Sequence, residues 1–220
     1  MRACWRRLPR WWSVGVWSLA ILACTSPPDP NRPLEAAERA LLDSLSPLPP
    51  PPPSPTNRWA DDPGAAALGH TLFFDKKLSG NGAVACATCH LPERYFSDGR
   101  KLAQGIGATG RHAPTLVGAA HLPFVFWDGR KDSLWSQSHG PIEAEVEHGT
   151  SRTDVARAVF AHHKAAFEAV FGPMPDVSDG ARFVPGGRPV PERSTAAGAK
   201  AWATMSDADR DVVNRIFANV

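Results

Sequence analysis

Apolar residues recur every three or four positions in four separate parts of the chain. In chain order they are Leu34, Ala37, Leu41 and Leu45; Leu68, Leu72 and Phe73; Val155, Val159, Phe167, Val170 and Phe171; and Val212, Val213, Ile216 and Phe217. This spacing is typical of a helix with one apolar face. It predicts helices over 33–45, from Pro63 to a break at 79–82, over 153–171 with an interruption near His162 and His163, and from Ser206 onward.

Glycine and proline interrupt this pattern, with 18 Gly and 22 Pro in 220 residues. Residues 46–55 are nearly pure proline and predict a stiff polyproline II spacer or an unstructured linker. Residues 86–130 predict loops with short helical turns, followed by a short helix capped by Asp132 or Ser133 and ending at Gln137. Residues 180–198 predict a long loop. Strand-like alternation is absent, so the predicted fold is mostly α with long Gly/Pro-rich loops.

The first 23 residues have the pattern of an export signal. Four arginines precede 13 uncharged, largely apolar residues from Trp11 to Ala23, too few to cross a bilayer, which takes about 20 helical residues. The sequence Ile-Leu-Ala-Cys at 21–24 resembles a bacterial lipobox, which predicts a lipoprotein acylated at Cys24. An ordinary signal peptide, with Cys24 incidental, is the alternative. Either way we expect a periplasmic protein, held at the periplasmic face of the outer membrane if the lipid is attached.

Three segments follow from these patterns: a signal peptide at 1–23, a Pro-rich linker with a short helix at 24–58, and a globular domain at 59–220. The last predicted helix has a start signal but no stop signal before Val220, so we expect a domain truncated at its C-terminus. The formal net charge is +2, which leaves no basic patch for nucleic acid.

Cys86-Ala87-Thr88-Cys89-His90 is a C-x-x-C-H sequence, the attachment signature of c-type haem. Two thiols three residues apart reach the two vinyl groups of a porphyrin, and the adjacent histidine ligates the iron. The sequence predicts one covalent haem c, bound by Cys86 and Cys89, with His90 as the metal ligand. Export agrees with this, because bacterial haem c is attached outside the cytoplasm.

Three other sites can contain such a cysteine pair. A zinc site needs a second pair, which is absent from the predicted domain. A thioredoxin-like redox pair needs a βαβ setting that the pattern does not show. A structural disulfide leaves His90 without a role. Each is less well supported than haem.

From Leu68 to Glu147 the chain resembles the bacterial di-haem cytochrome c peroxidases and the related methylamine-utilisation-type oxidases. The matching stretches are Leu72-Phe73-Phe74-Asp75, Leu78-Ser79-Gly80-Asn81-Gly82, the haem motif, Phe96-Ser97-Asp98-Gly99, Arg111-His112-Ala113-Pro114-Thr115-Leu116, Phe126-Trp127-Asp128-Gly129-Arg130, Ser133-Leu134, Gln137, Pro141 and Glu147. Weaker similarity continues to 214–219. The matching part is the N-terminal haem domain of this family, the half that reacts with peroxide.

The resemblance implies a cytochrome c-like haem domain that reduces hydrogen peroxide with electrons from a small cytochrome c or cupredoxin. It implies His90 as proximal ligand, Gln137 and Glu147 above the open distal face of the haem, Trp127 between two haems, and Arg111 beside the haem propionates. A carboxylate such as Glu147 can act as general base and then as general acid when the peroxide bond breaks. Without the resemblance, we would interpret Glu147 as a solvated charge in a loop. Gln137 would be an amide on a helix surface, and Trp127 would be an anchor in the core.

Several positions depart from the family pattern. Residues 105–110 contain no histidine where the peroxidases carry one that caps the resting iron, which predicts an open, high-spin haem. His112 replaces an asparagine that helps hold calcium, which puts a calcium site in doubt. His148 replaces a methionine; a loop role and a role as distal ligand are both open. The sequence has a single C-x-x-C-H, so the second haem domain would have to lie elsewhere.

Two other functions remain open. The first is a mono-haem electron carrier, for which Met174 and Met205 are the candidate iron ligands. The second is an inactive truncated fragment. We expect His70, His121, His139, His162 and His163 to be surface or packing residues.

Overall fold

The computed structural model describes residues 32–45, 47–189 and 195–220. Its α-helices in these ranges are α1 (Ala36–Ser44), α2 (Pro63–Phe74), α3 (Cys86–Cys89), α4 (Leu134–Glu143), α5 (Arg152–Phe171), α6 (Ala196–Thr204) and α7 (Asp207–Ala218). Short 3-10 turns lie at Lys76–Leu78, Pro92–Arg94 and Ala119–His121. Extended pairing within the described ranges is limited to isolated bridges. The prediction of a mostly α fold is confirmed.

The chain divides into two compact units, residues 1–50 and 51–220. The first contains α1, which buries none of its residues and whose start is stabilised by an ion pair between Arg32 and Glu38. The second contains all the other helices. The predicted signal peptide at 1–23 and Cys24 lie outside the described residues. Among those described, no helix has the length and apolar character needed to cross a bilayer.

Side-chain caps begin three of the longer helices where the sequence places them. Asp62 accepts a hydrogen bond from the backbone N–H of Ala65 at the start of α2, with Pro63 in its first turn. Ser151 caps α5 and Ser206 caps α7 through bonds to the N–H groups of Asp154 and Asp209. Each cap satisfies a backbone donor that the first helical turn leaves without a partner.

The core forms where α5 packs against α2 and α7. The buried apolar residues include Leu68 and Leu72 from α2, Val155, Val159 and Phe167 from α5, and Val213, Ile216 and Phe217 from α7. Loop residues Met174, Val177 and Phe183 complete it, together with Trp202 of α6 and Met205. These helices form the scaffold on which the loops from 79 to 150 are held.

A buried ion pair joins the end of α4 to the start of α5. Arg152 donates hydrogen bonds of 3.0 and 2.9 Å to the two carboxylate oxygens of Glu143, and a third, of 2.7 Å, to Asn214 of α7. The guanidinium also lies over the rings of Trp202 and Phe217. The two charged side chains are only 17% and 7% exposed, so each depends on the other to offset its lost hydration.

Two details of the predicted helices were wrong. Helix α4 continues past Gln137 to Glu143, although Gly140 and Pro141 are helix-ending residues, because Gly140, Ile142 and Glu143 are buried by tertiary contacts. Helix α5 is continuous through 162–163. There His163 is held by a 2.6 Å contact from its Nε2 to a carboxylate oxygen of Asp75.

Helix α6 was not predicted. It begins at Ala196, inside the predicted 180–198 loop, with Thr195 accepting a hydrogen bond from the Gly198 N–H. Its sequence has few apolar residues at helical spacing, and its position is set by burial of Trp202 in the core. Tertiary packing therefore overrides the weak local signal.

We predict that Glu143→Ala lowers the free energy of unfolding by about 3 kcal/mol, because it leaves the Arg152 charge buried without its partner. Asp207→Ala, which removes the highly exposed partner of Arg210, should cost less than about 1 kcal/mol. Urea unfolding followed by far-ultraviolet circular dichroism measures both. Equal losses in the two variants would contradict the prediction.

Candidate functional site

The C-x-x-C-H sequence folds as the single helical turn α3 and the residue after it. The backbone N–H of Ala85 donates to the Thr88 hydroxyl at 2.9 Å, and this bond closes the start of the turn. Residues three positions apart lie on the same side of a helical turn, so Cys86 and Cys89 face the same way. Both are half-buried and neither forms a disulfide.

His90 follows the turn with its ring held by one hydrogen bond. Its Nδ1 lies 2.9 Å from the backbone carbonyl oxygen of Phe96. Because a carbonyl can only accept, Nδ1 must carry the proton, which leaves the lone pair of Nε2 available for a metal. This arrangement fixes the tautomer and the orientation of an imidazole ligand.

The segment that supplies this carbonyl has unusual backbone angles. Tyr95 and Phe96 have φ values of 54° and 58°, in the left-handed region that bulky residues rarely adopt. The Thr115 hydroxyl donates to the Tyr95 carbonyl, and a bridge joins Leu91 to Ser97. These contacts hold the strained pair in place, so that the Phe96 carbonyl points at His90.

The two thiols are partly buried and have acidic groups nearby. Burial raises the pKa of the Cys86 thiol to about 11, with smaller increases from Cys89 and Glu147. Burial also raises the pKa of Cys89, followed by the charges of Asp98 and Glu147. Glu147, although 58 residues beyond Cys89, is therefore close enough to influence both thiols. The structure brings this predicted residue to the C-x-x-C-H turn.

His148 lies against the same turn. It is 5% exposed, and its Nε2 is 3.9 Å from the Sγ of Cys86. Its Nδ1 is buried and makes no hydrogen bond within the described part of the chain. Burial, more than any other contribution, lowers the pKa of its imidazole. The residue is in a loop, as one of the two interpretations expected, but it is buried rather than solvated.

The other predicted site residues lie on different elements. Gln137 is half-buried on α4. Trp127 is 57% exposed, so the interpretation as a core anchor is wrong; its Nε1 donates to the His112 carbonyl at 3.4 Å. Arg111 forms an exposed ion pair of 3.2 Å with Asp128. The side-chain hydrogen bonds of Trp127 and Arg111 therefore stay within the segment 111–130.

A second arginine reinforces the Asp128 carboxylate. Arg130 donates to it at 2.6 Å, and the guanidinium of Arg130 also lies 3.5 Å from the centre of the Phe126 ring. The hydrogen bond from Arg130, aided by Arg111, lowers the pKa of Asp128 to about 2. This carboxylate is therefore ionised throughout the neutral range and holds both arginines beside Trp127.

The site has the features that a covalently bound porphyrin requires. Two same-sided thiols and an oriented imidazole provide the donor set. Two buried polar atoms, Asp98 Oδ2 and His148 Nδ1, have no hydrogen-bond partner in the described residues, which is uncommon unless a further group satisfies them. The large exposed apolar side chains between 95 and 146 include Leu102, Ile106, Val117, Leu122, Phe124, Trp127 and Val146.

Exposed apolar surface of this extent indicates a binding surface, and a porphyrin face is largely apolar. By contrast, no set of three or more His, Cys, Asp or Glu side chains in the described ranges is grouped to hold a metal ion by itself. The arrangement therefore fits haem and gives no support to the zinc alternative.

Sequence reasoning missed three contributors to this site. The Phe96 carbonyl is a backbone group, so no side-chain pattern indicates it. The contact of His148 with Cys86 joins residues 62 positions apart and follows only from the fold. Gly105, which the sequence shows only as part of a glycine-rich stretch, lies against the backbone of Glu147.

The helical fold contains a C-x-x-C-H turn with two thiols and an oriented histidine. This set of donor groups is the one that defines a c-type haem domain. The profile of the family described as di-haem cytochrome c peroxidase matches residues 63–201. This chain belongs to that family, and c-type haem is the cofactor that membership implies. The resemblance noted in the sequence is confirmed.

Curated relatives match over part of their length. The methylamine utilization protein MauG of Methylophilus methylotrophus is 46% identical over 85 residues, 37% of this chain and 25% of that protein. The cytochrome-c peroxidase IdrP1 of Denitromonas iodatirespirans is 35% identical over 141 residues, 62% of this chain and 37% of that protein. The chain thus spans between a quarter and two fifths of these relatives.

Among solved structures, the diheme peroxidase BthA of Burkholderia thailandensis aligns with a TM-score of 0.48 and 27% identity, over 72% of this chain and 38% of that one.

We predict that Tyr95→Gly raises the free energy of unfolding by about 0.5–1 kcal/mol. Glycine removes the strain of the left-handed conformation, which stabilises the folded state. Its greater conformational entropy in the unfolded state offsets part of this stabilisation. The Tyr95 side chain is 79% exposed, so little packing is lost. Tyr95→Phe keeps the strain and should be neutral. Thermal unfolding of the haem-loaded protein tests this; a lower midpoint for the glycine variant would disprove it.

Proposed function

We propose that this chain forms the peroxide-reacting haem domain of a periplasmic c-type peroxidase. Family membership supports the general class, an oxidoreductase of the peroxidase type. The observation that carries the specific proposal is the contact of the Glu147 loop with the C-x-x-C-H turn. Nε2 of the adjacent His148 lies 3.9 Å from the Cys86 Sγ, and the Glu147 charge contributes to the raised pKa of both thiols. An acidic group at that place can take part in proton transfer to a bound peroxide.

One covalent haem is assigned to residues 86–90. Cys86 and Cys89 would hold its vinyl edge and His90 Nε2 would ligate the iron, with the Phe96 carbonyl keeping the imidazole in the required tautomer. When bound, this group supplies a redox-active iron that accepts peroxide as a ligand. Calcium is not included, because His112 occupies the position at which the resemblance places a calcium-binding residue.

The proton transfers are assigned to the carboxylate of Glu147. As general base this carboxylate would take a proton from one peroxide oxygen, and as general acid it would return that proton to the other oxygen, which leaves as water when the O–O bond breaks. Two electrons from the donor protein and two protons from solvent would then reduce the remaining oxygen to a second water. The side-chain amide of Gln137 is assigned to orient the peroxide by a hydrogen bond.

Electrons would reach the site from a small cytochrome c or cupredoxin, by way of a second haem group outside these 220 residues. Trp127 is suited to this path because its ring is 57% exposed while its Nε1 is anchored to the His112 carbonyl. Arg111, beside Asp128, is assigned to the haem propionates. The signal-like segment at 1–23 and the lipobox-like Cys24 support export and a lipid anchor.

An electron-carrier function has less support. A low-spin carrier needs a strong sixth ligand such as methionine. Met174 and Met205, the two methionines of the described ranges, are both buried in the hydrophobic core with residues of α5 and α7. Packing thus accounts for both side chains.

We predict that Glu147→Gln reduces peroxide turnover about 100-fold or more, because the amide cannot accept and return the proton. Turnover is measured with a chemical electron donor and normalised to bound haem. Glu145→Gln, which alters an exposed carboxylate in the same loop, serves as the matched control and should be unchanged. Unchanged turnover in Glu147→Gln would remove Glu147 from the mechanism.

We further predict that Cys86→Ala retains haem through one thioether, with the pyridine haemochrome band shifted to longer wavelength, because one vinyl group then remains unreacted. The Cys86→Ala/Cys89→Ala variant should lose covalent haem, whereas Cys4→Ala should keep it. Denaturing mass spectrometry after expression with haem-maturation machinery gives the result. Covalent haem in the double variant would exclude these thiols as its attachment points.

A further inference from the structure

The loop that carries Glu147 is hydrogen-bonded to a short segment that follows the haem motif. The backbone N–H of Ile106 donates to the Glu147 carbonyl at 3.0 Å, and the N–H of Gly107 donates to the Val146 carbonyl at 2.9 Å. A further bond of 3.0 Å from the Gly105 N–H to the Gly107 carbonyl tightens the segment itself. The backbone position of Glu147 is thus determined in part by residues 105–107.

Gly105 allows these two segments to approach closely. A Cβ at this position would lie 2.7 Å from the carbonyl oxygens of Glu147 and Val146, and 2.8 Å from the Glu147 Cα. These are rigid backbone atoms, so a methyl group would displace them by several tenths of an ångström. The φ of Gly105 lies outside the left-handed region, so glycine is needed here for space rather than for its backbone freedom.

The part of the loop that follows Glu147 is held in a similar way, by residues that precede the haem motif in the sequence. The Gly80 N–H donates to the His148 carbonyl at 2.8 Å, and a Cβ on Gly80 would collide with the Gly149 carbonyl. The hydroxyl of Ser79 in turn accepts from the Val84 N–H at 3.1 Å, close to the motif. Segments that precede and follow residues 86–90 in the sequence therefore both hydrogen-bond to the loop, and together they position the Glu147 backbone relative to the haem motif.

We infer that Gly105 is a positioning residue for Glu147 in the peroxide reaction, an inference that rests on the function proposed above. Proton transfer requires the carboxylate to be within hydrogen-bonding reach of the peroxide. A displacement of about 1 Å in a reacting group can cost on the order of 100-fold in rate. The close contact at Gly105 is what keeps the Glu147 backbone at its present distance from the haem motif.

The test compares Gly105→Ala with Gly110→Ala, since a Cβ at Gly110 meets no atom within 4 Å. Peroxide turnover is normalised to covalently bound haem. We expect Gly105→Ala to reduce kcat by about 10- to 100-fold and Gly110→Ala to leave it unchanged. Equal turnover in Gly105→Ala and the natural sequence would overturn the inference.

A double-mutant cycle separates positioning from a general structural effect. If Gly105 acts through the Glu147 carboxylate, Gly105→Ala/Glu147→Gln should be no slower than Glu147→Gln alone. Losses that multiply would show that Gly105 acts by another route. If Glu147→Gln itself has no effect, the proposed function fails; if only Gly105→Ala has none, the function stands and the positioning role is rejected.

Amide hydrogen exchange provides a readout that does not depend on turnover. The Ile106 and Gly107 amides should lose protection in Gly105→Ala and keep it in Gly110→Ala and Glu147→Gln, because only the first change separates the two segments. Should Gly105→Ala fail to retain haem, Ile106→Ala provides a second test, because the Ile106 side chain lies against Gly149 and its removal loosens the packing between the same two segments. It should then lower turnover only when Glu147 is present; unchanged turnover there would also reject the inference.

Discussion

The candidate site depends on one hydrogen bond, between His90 Nδ1 and the Phe96 carbonyl. A histidine can present either nitrogen to a metal, and this bond decides which one by holding a proton on the other. It also fixes the orientation of the ring directly after the helical turn α3 that carries the two thiols. The left-handed conformation of Tyr95 and Phe96 directs that carbonyl toward His90. The contacts of Thr115 and Leu91 with this segment hold the two residues in that conformation. Backbone strain at functional positions is a recurrent property of proteins.

The loop that carries Glu147 is held by the helical core. The loop that carries Glu147 leaves α4 and enters α5, and the buried Glu143–Arg152 pair closes the loop across its two ends. Helix α5 is in turn packed between α2 and α7, which fixes the place where the loop begins and ends. The carboxylate for which we propose a catalytic role is therefore on a loop that is anchored at both ends.

The unusual features of the molecule are concentrated in one region of the chain. Among the described residues, the left-handed bulky residues, two of the three unpartnered buried polar atoms and most of the exposed large apolar side chains lie between residues 95 and 148. Helices α1 to α7 contain none of the left-handed positions. This distribution is that of a rigid scaffold which supports a site completed by a large, mostly apolar group, and family membership identifies that group as c-type haem.

The amino-acid sequence by itself determined the haem motif, the family, the helical class and the starts of α2, α5 and α7. These depend on local rules: the spacing of Cys86, Cys89 and His90, the apolar period, and caps such as Asp62 and Ser206. Only the tertiary structure decided that α4 continues through Pro141 and that α6 exists. It also decided that His148 contacts Cys86 of the haem motif and that Gly105 lies against the Glu147 backbone. Those outcomes depend on burial and on contacts between residues far apart in the chain, whose energies no local pattern contains.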